Sequence, residues 1–170
     1  MAWLIIFQSR ETIMAILRII SGGQTGCDRA ALDAAIALGI SHGGYVPKGR
    51  LAEDGIVPHK YSMQELLSHH YQARTQKNVD SATATLVFAT APHSKGVALT
   101  IKCAQASRKP CLVVPLENLG DPLLADKVVA FLKKHSMAVI NVAGPRESSF
   151  GGGSAYQLPF DFLLRVLPQV

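Results

Sequence analysis

The segment Ser21-Gly22-Gly23-Gln24-Thr25-Gly26 joins a short apolar run to a stretch of helical spacing, and it is the first place where the chain has the residue types for chemistry. Glycines let backbone approach a ligand closely, and unsatisfied N–H groups at a helix start favour an anion such as phosphate. An ordinary tight turn between a strand and a helix would use the same residues. The segment is not GxGxxG and has no Walker lysine, so dinucleotide or triphosphate binding does not follow from it. Asp28 and Arg29 come next, and an aspartate at a helix start is favourable with no ligand at all.

A phosphate gains from two or more charge-assisted hydrogen bonds, and the planar fork of arginine suits it. Arg50, Arg74 and Arg146 are the candidates, each of which also reads as ordinary surface charge. Cys27 sits where a helix start could lower a thiol pKa, but as a small residue it equally fits burial against a sheet. His69 and His70 are adjacent on a helix, point about 100° apart and have no third ligand, so they read as surface residues rather than a metal site. His93 lies in a loop that could reach a phosphate or donate a proton.

The elements that must position these residues alternate between β-rich runs and helical periods. The spacing predicts strands over 17–21, 44–46, 85–90, 111–116 and 137–143 and helices over 28–38, 97–107, 121–134 and 156–166. Residues 62–79 read as one or two short helical turns, and 47–58 as a polar loop too long for a plain connection. Such alternation predicts an α/β fold, a three-layer Rossmann-like open parallel sheet of about five strands with helices on both faces. Residues 14–170 would form this single domain, with 1–13 as an N-terminal extension or arm. In such sheets ligands bind beyond the carboxyl ends of the strands, so the loops after strands one, two, three and five are expected to share one crevice.

The chain has 170 residues, 48% hydrophobic and 17% charged, which is enough apolar material for a full core and too little charge for disorder. The low charged fraction suggests surface buried in a homo-oligomer. A net charge of +5 raises the question of an acidic partner, but no run of five like charges occurs, and Arg108-Lys109 and Lys133-Lys134 sit at predicted helix ends. Nucleic acid is therefore not expected. The apolar start MAWLIIF stops well short of the ~18 residues of a membrane span. Three cysteines, Cys27, Cys103 and Cys111, have no metal spacing and leave one unpaired in any disulfide scheme, as expected in a reducing cytoplasm.

Three stretches in order, SGGQTGCDRAALDAAIALGI, GGYVPKGRLAEDG and NVAGPRES, resemble the molybdenum-carrier-like family of the wider lysine-decarboxylase-like, or "Lonely guy"-like, Rossmannoid superfamily, over about residues 16–168. The resemblance implies a cytoplasmic binding protein, a dimer or tetramer, holding a phosphorylated pterin (the molybdenum cofactor, molybdopterin) or a nucleotide-like ligand at the strand ends. It assigns Gly22, Gly23, Gln24, Thr25, Gly26, Asp28 and Arg29 to a loop that cradles a phosphate or a pterin edge. Lys48, Gly49 and Arg50 form a second loop, with Glu53 and Asp54 after it; Arg74, Thr75 and Asn78 precede the third strand; Gly144, Pro145, Arg146, Glu147 and Ser148 form the last loop.

One stretch departs from the pattern. Where relatives carry a glycine pair, this chain has His93-Ser94-Lys95-Gly96-Val97-Ala98-Leu99-Thr100, which leaves Lys95, Gly96 and Thr100 as ligand candidates. Phosphoribohydrolases of the superfamily resemble PGGxGTxxE there; this chain has Lys102 and Cys103 in the region of that glutamate. The alternatives to a carrier are hydrolysis of a nucleoside-monophosphate glycosidic bond, with Glu53, Asp54 and Glu147 as the catalytic candidates, or a nucleotide sensor.

Overall fold

The computed structural model describes residues 16, 18–135, 138–151 and 153–170, and the expected arm over 1–13 lies outside them. In chain order the strands are β1 (Arg18–Ile20), β2 (Ser41–Val46), β3 (Leu51–Ala52), β4 (Gly55–Ile56), β5 (Met63–Glu65), β6 (Ala84–Ala89), β7 (Cys111–Pro115) and β8 (Val139–Ala143). The helices are α1 (Cys27–Ala37), α2 (Tyr71–Ser81), α3 (Lys95–Ala106), α4 (Pro122–Lys134) and α5 (Gln157–Val166).

Six strands form one sheet in the order β5-β2-β1-β8-β6-β7, with every neighbouring pair parallel. The chain runs outward from β1 through β2 to β5, crosses to β6 and β7, and returns to lay β8 between β1 and β6. Helices α1, α4 and α5 pack together on one face, and α2 and α3 on the other. The expected three layers are present, with one strand more than expected. The sixth is β5, in the stretch expected to be helical turns: Met-Gln-Glu has no strand signal of its own and is extended because it pairs with the edge of β2. A small antiparallel hairpin of β3 and β4 projects from the long polar loop.

Burial follows position in the sheet. All six residues of β6 are buried, as a strand covered on both faces requires. Phe88 from β6 meets Phe162 from α5 edge-on, ring centroids 6.0 Å apart, within the main core cluster. Strand β2 begins three residues earlier than its apolar pattern suggests, at Ser-His-Gly-Gly. Those glycines are set by close approach: Gly44 has φ 130°, and a Cβ there would lie 2.0 Å from the carbonyl oxygen of Ser21. Helix α4 starts as its sequence suggests, with Asp121 accepting from the Leu123 N–H at 2.9 Å ahead of Pro122. Lys109 caps the end of α2 by donating to the carbonyls of Val79, Asp80 and Ala82. No described helix is long and apolar enough to cross a membrane.

Candidate functional site

The fold brings the carboxyl ends of β1, β6 and β8 together, and a cleft of about 350 Å³ opens there. Its walls come from the β1–α1 loop (Gln24), the first turn of α1 (Asp28), the start of α2 (Tyr71, Arg74, Thr75), the start of α3 (Ser94 to Gly96, with Leu99 and Thr100) and the end of β8 and the loop after it (Ala143, Gly144, Arg146, Ser149). Of the residues singled out from sequence, Gln24, Asp28, Arg74, Thr75, Lys95, Gly96, Thr100, Gly144 and Arg146 therefore meet at one cleft.

At its floor lies a buried ion pair. Nη1 of Arg74 donates to Oδ2 of Asp28 at 3.1 Å, with side chains 14% and 5% exposed. The same Oδ2 accepts from the Gln24 N–H at 3.2 Å. Burial pushes the Asp28 carboxyl above its ordinary value, against the opposing pull of Arg74 and of the Gln24 N–H. Gly22 is the residue that leaves room for this pair, since a Cβ there would fall 1.4 Å from Nη1 of Arg74. The glycine turn is thus built around the protein's own carboxylate. The Thr25 N–H is taken by Oε1 of Gln24 at 3.0 Å and the Cys27 N–H by the Pro145 carbonyl at 3.3 Å. Of the N–H groups expected to cradle a phosphate at the start of α1, those of Gln24, Thr25 and Cys27 are thus committed within the protein.

The exposed cations lie across the cleft instead. Ser94 caps α3 by accepting from the Val97 N–H at 3.4 Å, and exposed Lys95 opens the helix, so that positive charge and helix end coincide. Arg146, 52% exposed, stands on the opposite wall, its Nε 3.1 Å from Oγ of Ser149 and 3.2 Å from Oε2 of Glu53.

The second predicted loop does not join this cleft. The Arg50 guanidinium donates to the carbonyls of Val57, Pro58, Tyr61 and Met63 at 3.0–3.4 Å and so holds its own loop together. Lys48 and Gly49 stay with it, exposed. Arg29 forks onto both oxygens of Asp54 and also reaches the Gly23 carbonyl, and this pairing holds the Asp54 carboxyl below its ordinary value. Asn78 is buried and exchanges hydrogen bonds with both backbone groups of Tyr45, at 2.9 and 3.1 Å, which fixes α2 to β2.

Glu53 ties three loops together, accepting from the hydroxyls of Thr25 and Ser148 and from the Ser148 N–H at 3.2 Å. Partial burial works against ionisation, but these donors and Arg146 hold it below the ordinary carboxylate range. Glu147 accepts nothing at its buried Oε2 and does not line the cleft. Cys27 is fully buried, and burial, followed by the charge of Asp28, pushes its thiol well up, so the buried structural reading holds. His93 is exposed with Nδ1 2.7 Å from the Thr90 carbonyl oxygen, and His69 and His70 are on the surface. Among the described residues no group of three or more His, Cys, Asp or Glu could hold a metal ion.

Sequence reasoning missed Tyr71, Ser94, Leu99, Ala143 and Ser149. Only Ser94 had a readable signal, as a cap before an apolar run; Tyr71 lines the cleft beside Arg74, whose guanidinium carbon lies 5.7 Å from the centre of its ring.

None of the curated proteins compared with this chain matches it. Among solved structures, a crystal structure from Syntrophus aciditrophicus SB, named "Putative molybdenum carrier protein", is similar at 41% identity and a TM-score of 0.78, over 90% of this chain and 95% of that one. The model of the circularly permutated YpsA SLOG family matches residues 19–165. With most of its length matched, the chain belongs to the circularly permutated YpsA SLOG family.

Proposed function

We propose that this protein binds a phosphorylated small molecule of pterin or nucleotide type at the carboxyl ends of its strands, and acts as a carrier for it. The observation that carries this reading is the pairing of Lys95 at the α3 start with Arg146 on the facing wall, across a cleft of about 350 Å³. That volume suits a small organic anion. The likeness to a protein named as a molybdenum carrier supports a molybdenum-bearing pterin as the cargo. Cargo whose metal is already chelated by the pterin asks the protein only for anion and ring contacts, and the residues present fit that demand.

The hydrolytic alternative is less well supported. It needs a carboxylate facing the ligand, yet Glu53 and Asp54 are held in ion pairs on the hairpin, and Asp28, which lines the cleft, is held by Arg74. Titration calorimetry with GMP and neopterin monophosphate tests the binding. Lys95→Ala and Arg146→Ala should each weaken it about tenfold, as loss of one charge-assisted hydrogen bond does. Absence of binding by either compound, with both variants indistinguishable from the parent, refutes the proposal. Base release from nucleoside monophosphates would instead establish the hydrolase.

A further inference from the structure

A second hollow, of about 620 Å³, opens beside the first at the carboxyl ends of β6 and β7. The two are neighbours that share Ser149 in their linings. The β6–α3 loop lines both, with Thr90 and Ala91 in the second and Ser94 in the first, where Lys95 and Gly96 of α3 follow it, and Ser149 lines both from the opposite side. Their chemistry differs. The first has Arg74, Lys95 and Arg146; the second has Leu116, Leu119, Phe150 and Leu158, with Glu117 its only charged lining residue among those described. Arg146 holds Ser149 at the boundary, 3.1 Å from Nε to Oγ.

We infer that the two hollows together take one ligand in two parts, its phosphate in the cationic hollow and its flat ring in the apolar one, with Glu117 available to accept from ring N–H groups. This rests on the proposed function and adds where the ring lies. Pterin and guanine share the required chemistry, a planar heteroaromatic ring whose faces pack on apolar side chains and whose edge carries N–H donors.

The structure supplies clean variants. A Cβ at Gly120, which lines the second hollow, meets nothing within 4 Å, and Gly120 lies outside the left-handed region, so Gly120→Phe can add bulk there without backbone strain. Leu158, 39% exposed in the first turn of α5, can become Asp with little cost to the core. Calorimetry on the full chain compares ribose 5-phosphate, which has the phosphate without a flat aromatic ring, with GMP and neopterin monophosphate. Both ringed compounds should bind about tenfold or more tightly than ribose 5-phosphate, from ring burial. Gly120→Phe and Leu158→Asp should each remove that advantage and leave ribose 5-phosphate unchanged. The larger advantage of the two ringed compounds tells purine from pterin. If ribose 5-phosphate binds and a ring adds nothing, or if the ring's advantage survives both variants and falls only in Tyr71→Ala, this inference fails and the binding function stands. If none of the three binds the parent, both fail.

Discussion

Replacing Arg74 with Met removes the positive half of the pair beneath the cleft while keeping a side chain of similar length. Asp28 is then a carboxylate 4% exposed whose remaining partner is the Gln24 N–H. Breaking a buried ion pair by removing one partner costs about 3–5 kcal/mol, and the lower end applies because Arg74 is 14% exposed and Asp28 keeps one donor. For a domain of this size about 3 kcal/mol lowers the melting temperature by about 6–12 °C.

The sign of the pH dependence is specific. Burial already raises the Asp28 carboxyl above its unfolded value in the parent, so its contribution to stability is full below the unfolded value and is lost as pH rises through the folded one. Losing Arg74 raises the folded value further. The deficit of Arg74→Met against the parent should therefore be largest near pH 7.5 and shrink toward pH 5, where protonation becomes an escape. Thermal unfolding followed by circular dichroism at both pH values measures it, and Asp28→Asn combined with Arg74→Met should recover most of the loss. A deficit below about 1 kcal/mol at pH 7.5, one that does not change with pH, or a double variant no better than the single one would refute the reasoning.

Arg50→Met should free the carbonyls of Val57, Pro58, Tyr61 and Met63, cost about 1–3 kcal/mol and open residues 48–62 to limited proteolysis, while leaving GMP affinity unchanged; a loss of affinity at constant protease resistance would return Arg50 to the ligand. Asp33 accepts from the hydroxyls of Tyr61 at 3.0 Å and Tyr156 at 2.9 Å, joining α1 to α5, and burial together with Asp33 pushes the Tyr156 hydroxyl up to about 12. Asp33→Ala should bring that tyrosine back toward ~10 in a spectrophotometric titration and lower stability by about 1–3 kcal/mol. The low charged fraction predicts a homo-oligomer, checked by light scattering at micromolar concentration; the mass of a single chain would count against it.

The layer order was legible because it rests on local signals. Helical spacing and apolar runs place α1, α3, α4, α5, β6, β7 and β8 within about two residues of where they are found. What was not legible depends on partners distant in the chain. Met63–Glu65 carries no strand pattern and is extended by β2, and the helical turns expected over 62–79 are realised as α2 over Tyr71–Ser81, which docks through Asn78 on Tyr45.

The same distinction separates the arginines. Arg29, Arg50, Arg74 and Arg146 all fall in or beside strand-end loops, and nothing in residue type tells them apart. The fold does so by the acceptors it brings to each: a hairpin carboxylate for Arg29, a ring of carbonyls for Arg50, a buried aspartate for Arg74. The guanidiniums of Arg29 and Arg50 are answered within the protein, whereas Arg74, paired through Nη1 with Asp28, keeps a buried Nε at the cleft without a partner among the described residues. Arg146 pairs with Glu53 and yet remains 52% exposed, and it is joined across the cleft by exposed Lys95. A positive net charge therefore cannot be counted toward a ligand residue by residue. Arg29, Arg50 and Arg74 hold loops and elements to one another, and the exposed positive charge at the cleft is that of Lys95 and Arg146.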